Sequence, residues 1–194
     1  MTVIGAVGLN GSGKDTLINY LHERHGIPIL SMGDIVRDIA DEEHIRPTRA
    51  NLHEISQRYI ARYGKEYFVK RLIDEIEERQ WRSVAITGIR TPADVRTLQE
   101  YFGQDFLLVH VRVGDPYIRF ERAKGRGEAR DPQRYKEFLE QDREEKEIFH
   151  IDEAVKQADI TIDNDGSLGA FHRKIEKRVV EPMFGDCSVA GARI

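Results

Sequence analysis

The run Val3-Ile4-Gly5-Ala6-Val7 leads at once into Gly8-Leu9-Asn10-Gly11-Ser12-Gly13-Lys14-Asp15-Thr16, and this succession restricts the folds open to the chain more than any other feature. The apolar run predicts a buried strand. The stretch after it holds three glycines, so consecutive backbone N–H groups can close around a polyphosphate. A helix over about 14–25 would aim its positive end at the same anion. Gly8, Gly11 and Gly13 let backbone approach phosphate, Asn10 and Ser12 lie between them, and Lys14 reaches the β and γ oxygens as a point charge. The spacing follows G-x-x-x-x-G-K-[ST] as far as Lys14. It then departs, because Asp15 stands where a hydroxyl usually serves Mg²⁺ and Thr16 comes one residue late. ATP with Mg²⁺ is the expected ligand of residues 8–16, with Asp15 and Thr16 nearest the metal.

Downstream, short apolar runs alternate with longer charged stretches of helical period, the signature of a βα repeat with a parallel sheet. Strands are predicted at Thr2–Val7, Ile27–Leu30, Ser83–Thr87, Phe106–Val113 and Asp159–Ile162. Each is short and rich in Val, Ile or Leu, as strands covered on both faces are. Helices are predicted near 14–25, 33–43, 48–62, 66–80, 93–102, 115–124, 132–148 and 167–180. Thr91-Pro92, Asp115-Pro116 and Asp131-Pro132 each set a capping side chain before a proline in the first helical turn. The fold class is therefore α/β, a five-stranded parallel sheet flanked by helices. The 194 residues suffice for a single domain, taken as 1–181, followed by a tail over 182–194.

A formal net charge of −4 supplies no overall basic field, so nucleic acid is not an expected partner and any anion site must be local. The lone cysteine, Cys187, cannot form an internal disulfide, and the seven histidines show no zinc spacing with it. No run approaches the roughly 18 apolar residues of a membrane span, and the N-terminus lacks a secretory pattern. The expectation is a cytoplasmic protein, monomeric or homodimeric, with no membrane partner.

After the second strand stands Ser31-Met32-Gly33-Asp34-Ile35-Val36-Arg37, opening onto the crevice at the carboxyl ends of the strands. With the glycine-rich loop, it resembles the nucleoside monophosphate kinases, whose acceptor site carries a Ser-Thr-Gly-Asp-x-x-Arg stretch. Pro47-Thr48-Arg49 followed by Gln57-Arg58, with Gly13-Lys14-Asp15-Thr16, is similar to viral deoxynucleoside monophosphate kinases. Over roughly residues 1–180 the pattern also resembles archaeal proteins described as dephospho-coenzyme A kinase-like or nucleotide kinase-like. The resemblance implies a three-layer P-loop kinase fold with an acceptor-binding insertion at about 34–67 and a lid at about 119–131. It implies that Arg37 binds the acceptor's phosphate. Related kinases end the third strand in Asp-Gly-Phe-Pro-Arg; here Thr87-Gly88-Ile89-Arg90 keeps the glycine and the arginine but not the aspartate. Arg90 is thus a second residue for the acceptor phosphate. Asp15 would compensate in organising Mg²⁺, although an aspartate favoured by the helix dipole explains the same residue.

Between Arg119 and Asp131 the chain carries Arg119, Arg122, Lys124, Arg126 and Arg130, with glycines at 125 and 127. Such a run is ordinarily a solvated helix end, yet mobile arginines closing over a phosphoryl-transfer transition state would stabilise its charge and exclude water. The resemblance to short kinase lids implies Arg122, Arg126 and Arg130 for that task, and Arg143 as an arginine returned from the following helix. Glu144-Glu145-Lys146-Glu147 reads as a solvated face. The ending Asp159-Ile160-Thr161-Ile162-Asp163-Asn164-Asp165 resembles that of related small kinases and implies Asn164 beside the nucleotide base, a turn residue being the other reading.

The combined expectation is a P-loop small-molecule kinase transferring phosphate from ATP to a nucleotide-like acceptor that already bears phosphate. A dephospho-coenzyme A kinase would instead need a carboxylate base at the acceptor, for which Asp34 is the one residue in position. A nucleotide-dependent switch would explain Thr87 but accounts less well for Arg37 and Arg90.

Overall fold

A computed structural model describes residues 1–127 and 131–185. Five strands, β1 (Thr2–Val7), β2 (Ile29–Ser31), β3 (Ser83–Thr87), β4 (Phe106–Arg112) and β5 (Ile160–Asp163), form one parallel sheet in the order β2-β3-β1-β4-β5. The helices are α1 (Lys14–His25), α2 (Met32–Glu42), α3 (Arg49–Tyr63), α4 (Tyr67–Arg79), α5 (Pro92–Phe102), α6 (Pro116–Arg126), α7 (Tyr135–Phe149), α8 (Ile151–Val155), α9 (Leu168–Ile175) and α10 (Glu181–Phe184).

The central strand β1 is buried from Val3 to Val7, which is why its sequence is apolar without alternation. Its side chains still point alternately to two layers. Val3 and Val7 join Val84, Ile86, Phe106 and Leu108 against α2, α4, α5 and α8. Ile4 and Ala6 join Ala85, Val109, Val111 and Ile162 against α1 and α9. Gly5 belongs to the first layer, where a Cβ would lie 2.6 Å from Ile89 and 2.9 Å from Phe106, so bulk from two neighbours excludes a side chain there.

Local signals set most element ends. Thr91 and Asp94 form a reciprocal capping box at α5 with Pro92 in its first turn, and Asp115 accepts the Tyr117 N–H at the start of α6. Three expectations are corrected. Asp131 does not cap the next helix, which begins at Tyr135; its carboxylate accepts from Arg126 instead, a stronger charge-assisted contact. The helix expected over 167–180 is α9 followed by a π-helical turn, Glu176–Val180. Strand β2 starts at Ile29 rather than Ile27, because the Ile27 N–H and C=O are bonded to Leu21 and His22 at the end of α1.

Register brings the functional ends level. Ser31 lies opposite Thr87, and Gly5 opposite Ile86, so the carboxyl ends of β1, β2 and β3 meet along one rim. The chain leaves β1 with β3 on one side and β4 on the other, the crevice where open parallel sheets take ligands.

Candidate functional site

The loop between β1 and α1 is held in shape from behind. Gly11 and Gly13 have φ of +75° and +99°, values that favour glycine. A Cβ on Gly11 would come within 2.3 Å of the Arg119 carbonyl oxygen on α6, and one on Gly13 within 2.4 Å of the Asn164 amide nitrogen. That amide donates to the Ser12 carbonyl at 2.9 Å, across 152 residues of chain. Asn164 therefore buttresses the loop, the role its expected contact with a base had not anticipated. Ser12 is buried and its Oγ has no hydrogen-bond partner among the described residues, an orphaned polar atom in a loop whose backbone suits an oxyanion.

Lys14 opens α1 without an ion pair among the described residues. Burial pulls its pKa down, and the cations of Arg90 and Arg126 act the same way, against the carboxylates of Asp15 and Glu145. Such a lysine gains from an added anion. Next to it, the Thr87 hydroxyl donates to Asp15 Oδ1 at 2.8 Å. The carboxylate missing from the end of β3 thus reappears one residue after Lys14, bonded to the side chain standing in its expected place. No group of three or more His, Cys, Asp or Glu residues suited to a metal exists among the described residues. Asp15 and Thr16 could hold Mg²⁺ only together with water or phosphate oxygens.

Beyond the carboxyl end of β2, Asp34 and Arg37 form an ion pair one helical turn apart on α2, the Arg37 Nε donating to Asp34 Oδ1 at 3.0 Å. Both are largely exposed. The turn carrying Arg90 is fixed by Asp94, whose carboxylate accepts from the Thr91 N–H at 2.9 Å and the Arg90 N–H at 3.3 Å; burial pushes the Asp94 pKa up. The Arg90 guanidinium lies 5.1 Å from the Phe149 ring centre, and its Nη1 is 3.9 Å from Glu145 Oε1. The sequence places Glu145 on a solvated face and singles out Asp34 as the carboxylate for an acceptor; the structure sets Glu145 beside Arg90. The signal was helical spacing, since Asp142, Glu145 and Phe149 recur at i, i+3 and i+7. Arg143 is exposed, and the structure does not bring it to this cluster.

The arginines of 119–131 separate into different roles. Arg119 is 3% exposed and makes a bidentate pair with Asp142 at 2.6 and 2.7 Å, while its Nη1 also donates to the Asn10 carbonyl at 3.1 Å. It ties α6 to α7 and to the loop. Arg122 donates through Nη2 to the Asn164 carbonyl at 2.8 Å, and its buried Nη1 has no partner among the described residues. Arg126 pairs with Asp131 at 2.6 Å and reaches Asn10 Oδ1 at 3.3 Å, so it already leans over the loop. Arg130, like Cys187, lies outside the described residues. A groove of about 390 Å³ begins at Ser31 and Asp34 and runs beside β2 to Trp81.

No helix among the described residues is long and apolar enough to cross a membrane. Residues 7–138 match the family model described as an AAA domain. A UPF0200 protein of Pyrococcus horikoshii is 34% identical over 180 residues, covering 91% of this chain and 95% of its own. A UPF0200/UPF0201 protein of Archaeoglobus fulgidus is 35% identical over 179 residues, 91% of this chain, and there the chain spans 54% of the relative's length. Among solved structures, a shikimate kinase from Bacteroides thetaiotaomicron superposes with a TM-score of 0.54 at 15% identity, covering 91% of this chain and 97% of its own. At that identity the likeness shows a shared P-loop kinase fold.

Proposed function

The chain belongs to the AAA-domain family and to the UPF0200 proteins, in a P-loop kinase-like fold, and on that premise we propose a Mg²⁺-ATP-dependent phosphotransferase whose acceptor is a small phosphate-bearing molecule, foremost a ribo- or deoxynucleoside monophosphate. Residues 1–181 act as one domain in this reading, with the acceptor insertion at about 34–67 and the lid at about 119–131, in a cytoplasmic monomer or homodimer.

One observation carries it: two left-handed glycines lead Lys14 into α1 while Asp15, beside it, is bonded to Thr87 at the end of the third strand. Backbone N–H groups of 8–13 and the Lys14 ammonium bind the donor's polyphosphate. Asp15, with Thr87 donating to its carboxylate, and Thr16 are the residues that would hold Mg²⁺, which would supply charge neutralisation to the polyphosphate. Arg37 and Arg90 hold the acceptor's phosphate, with Asp34 beside them. Arg126, from the lid, covers the transferring group. A phosphate oxygen of the acceptor is already ionised, so attack on the γ-phosphorus needs no general base, and catalysis is positioning with charge stabilisation.

The groove from Ser31 and Asp34 to Trp81 supports a second reading, in which the acceptor carries an extended arm, as dephospho-coenzyme A does. Both readings are tested by ADP release with Mg²⁺-ATP and a panel of ribo- and deoxynucleoside monophosphates plus dephospho-coenzyme A. Strong stimulation by one monophosphate is expected. Stimulation by dephospho-coenzyme A alone selects the second reading, and slow hydrolysis unaffected by any acceptor overturns both in favour of a nucleotide-dependent switch.

A further inference from the structure

Helix α7 was expected to present its acidic cluster to solvent, but its period divides the cluster. Glu144 and Glu147 are exposed, whereas the Glu145 side chain is only 17% exposed and turned toward Arg90. The rotation of α7 is set one turn earlier, where Asp142 is clamped by both Nη atoms of buried Arg119. One turn later Phe149 lies against the Arg90 guanidinium. Asp142, Glu145 and Phe149 therefore act as a single face, and the carboxylate at its centre faces a cation expected to take phosphate. Its contact is loose. At 3.9 Å the Glu145–Arg90 pair is at the limit of an ion pair and forms no hydrogen bond. A small cavity lined by Asn10, Gln141, Asp142 and Glu145 lies beside it.

We propose that Glu145 is a charge gate on Arg90: its carboxylate neutralises the guanidinium while no acceptor is bound and must yield that position to an acceptor phosphate. The assignment rests on Arg90 being the receiver of an acceptor anion, as proposed above. An arginine makes short bidentate bonds to a phosphate, which the loose carboxylate contact does not match. Two anions cannot share one guanidinium without repulsion, so Glu145 lowers the affinity of every anion at Arg90 and selects those able to bind it in two places. It is a specificity and positioning residue, and Lys14, which feels the same carboxylate, is relieved of it in the same movement.

The test is a double-mutant cycle read by calorimetric titration of inorganic phosphate into the 194-residue protein, with wild type, Glu145→Gln, Arg90→Ala and the double variant. Glu145→Ala and thermal unfolding of all variants control for folding. Glu145→Gln is expected to tighten phosphate about tenfold, and the gain is expected to vanish in the Arg90→Ala background. An unchanged affinity for both Glu145 variants overturns the gate. So does a gain that survives Arg90→Ala. A turnover number that collapses in Glu145→Gln with phosphate affinity unaltered also overturns it, since that behaviour belongs to a general base. The kinase reading fails separately: if the cycle behaves as expected while no acceptor stimulates ADP release, the gate stands and phosphotransfer does not.

Discussion

Replacing Asp142 by alanine removes one half of a pair whose side chains are 4% and 8% exposed, with bonds of 2.6 and 2.7 Å to both Nη atoms of Arg119. Breaking a buried pair this way costs about 3–5 kcal/mol, because the surviving charge is left uncompensated. Arg119 would keep its bond to the Asn10 carbonyl and the Phe138 ring, 5.2 Å from its guanidinium, each worth about 1 kcal/mol. The expected loss is therefore near the lower end, about 3 kcal/mol, a large part of the roughly 5–15 kcal/mol that a domain possesses. With a urea slope of about 2 kcal/mol/M the unfolding midpoint falls by about 1.5 M. Arg119→Met combined with Asp142→Leu leaves no buried charge and is expected within about 1 kcal/mol of wild type. That double variant still loses the tie to Asn10, so its nucleotide affinity falls while its stability holds. Equilibrium urea unfolding of the three proteins with nucleotide titration of the double variant decides the matter. An Asp142→Ala cost below about 1 kcal/mol, or a double variant as unstable as the single one, would refute the reasoning.

Gly11→Ala places a methyl against the Arg119 backbone oxygen at a φ of +75°, a cost of about 1–3 kcal/mol; calorimetry should show weakened nucleotide binding, and wild-type affinity would contradict the loop's contact with α6. Asp15→Asn and Thr87→Val both disturb the 2.8 Å bond beside Lys14, so each is expected to raise the Mg²⁺ concentration needed for half-maximal turnover, and two unchanged metal titrations would remove Asp15 from the metal's surroundings. Burial, helped by the bond its hydroxyl donates to Glu176, pushes the Tyr20 pKa up to about 12 from the ordinary tyrosine value of 10.0. A raised folded-state value means that the stabilisation is complete below pH 10.0 and is lost as pH rises through about 12. Unfolding free energies measured across that window should fall less steeply in Tyr20→Phe, and parallel curves would argue against the shift.

Much of the architecture was legible because it is encoded over short distances. An apolar run, three glycines and a lysine are covalent neighbours, so strand, loop and helix followed from order alone, as did the cap at Thr91-Pro92. The five strands could be recognised by length and composition, though their order could not. Asp131 shows the limit of the local signal, since Asp-Pro reads as a cap until Arg126 competes for the carboxylate with a stronger bond.

What the sequence determined by itself is the phosphate-type loop and the parallel α/β layering, both products of near-neighbour chemistry and hydrophobic period. Only the tertiary structure decided which of the similar charges do what. Arg119, Arg122 and Arg126 are alike in the sequence, yet one is locked to Asp142, one to the Asn164 carbonyl and one leans over Asn10. Thr87 meets Asp15 across 72 residues, and Asn164 meets Ser12 across 152. The reason is physical: a side chain's propensity is local, but its burial, its partner and the charge beside it are properties of what other segments bring to the same place.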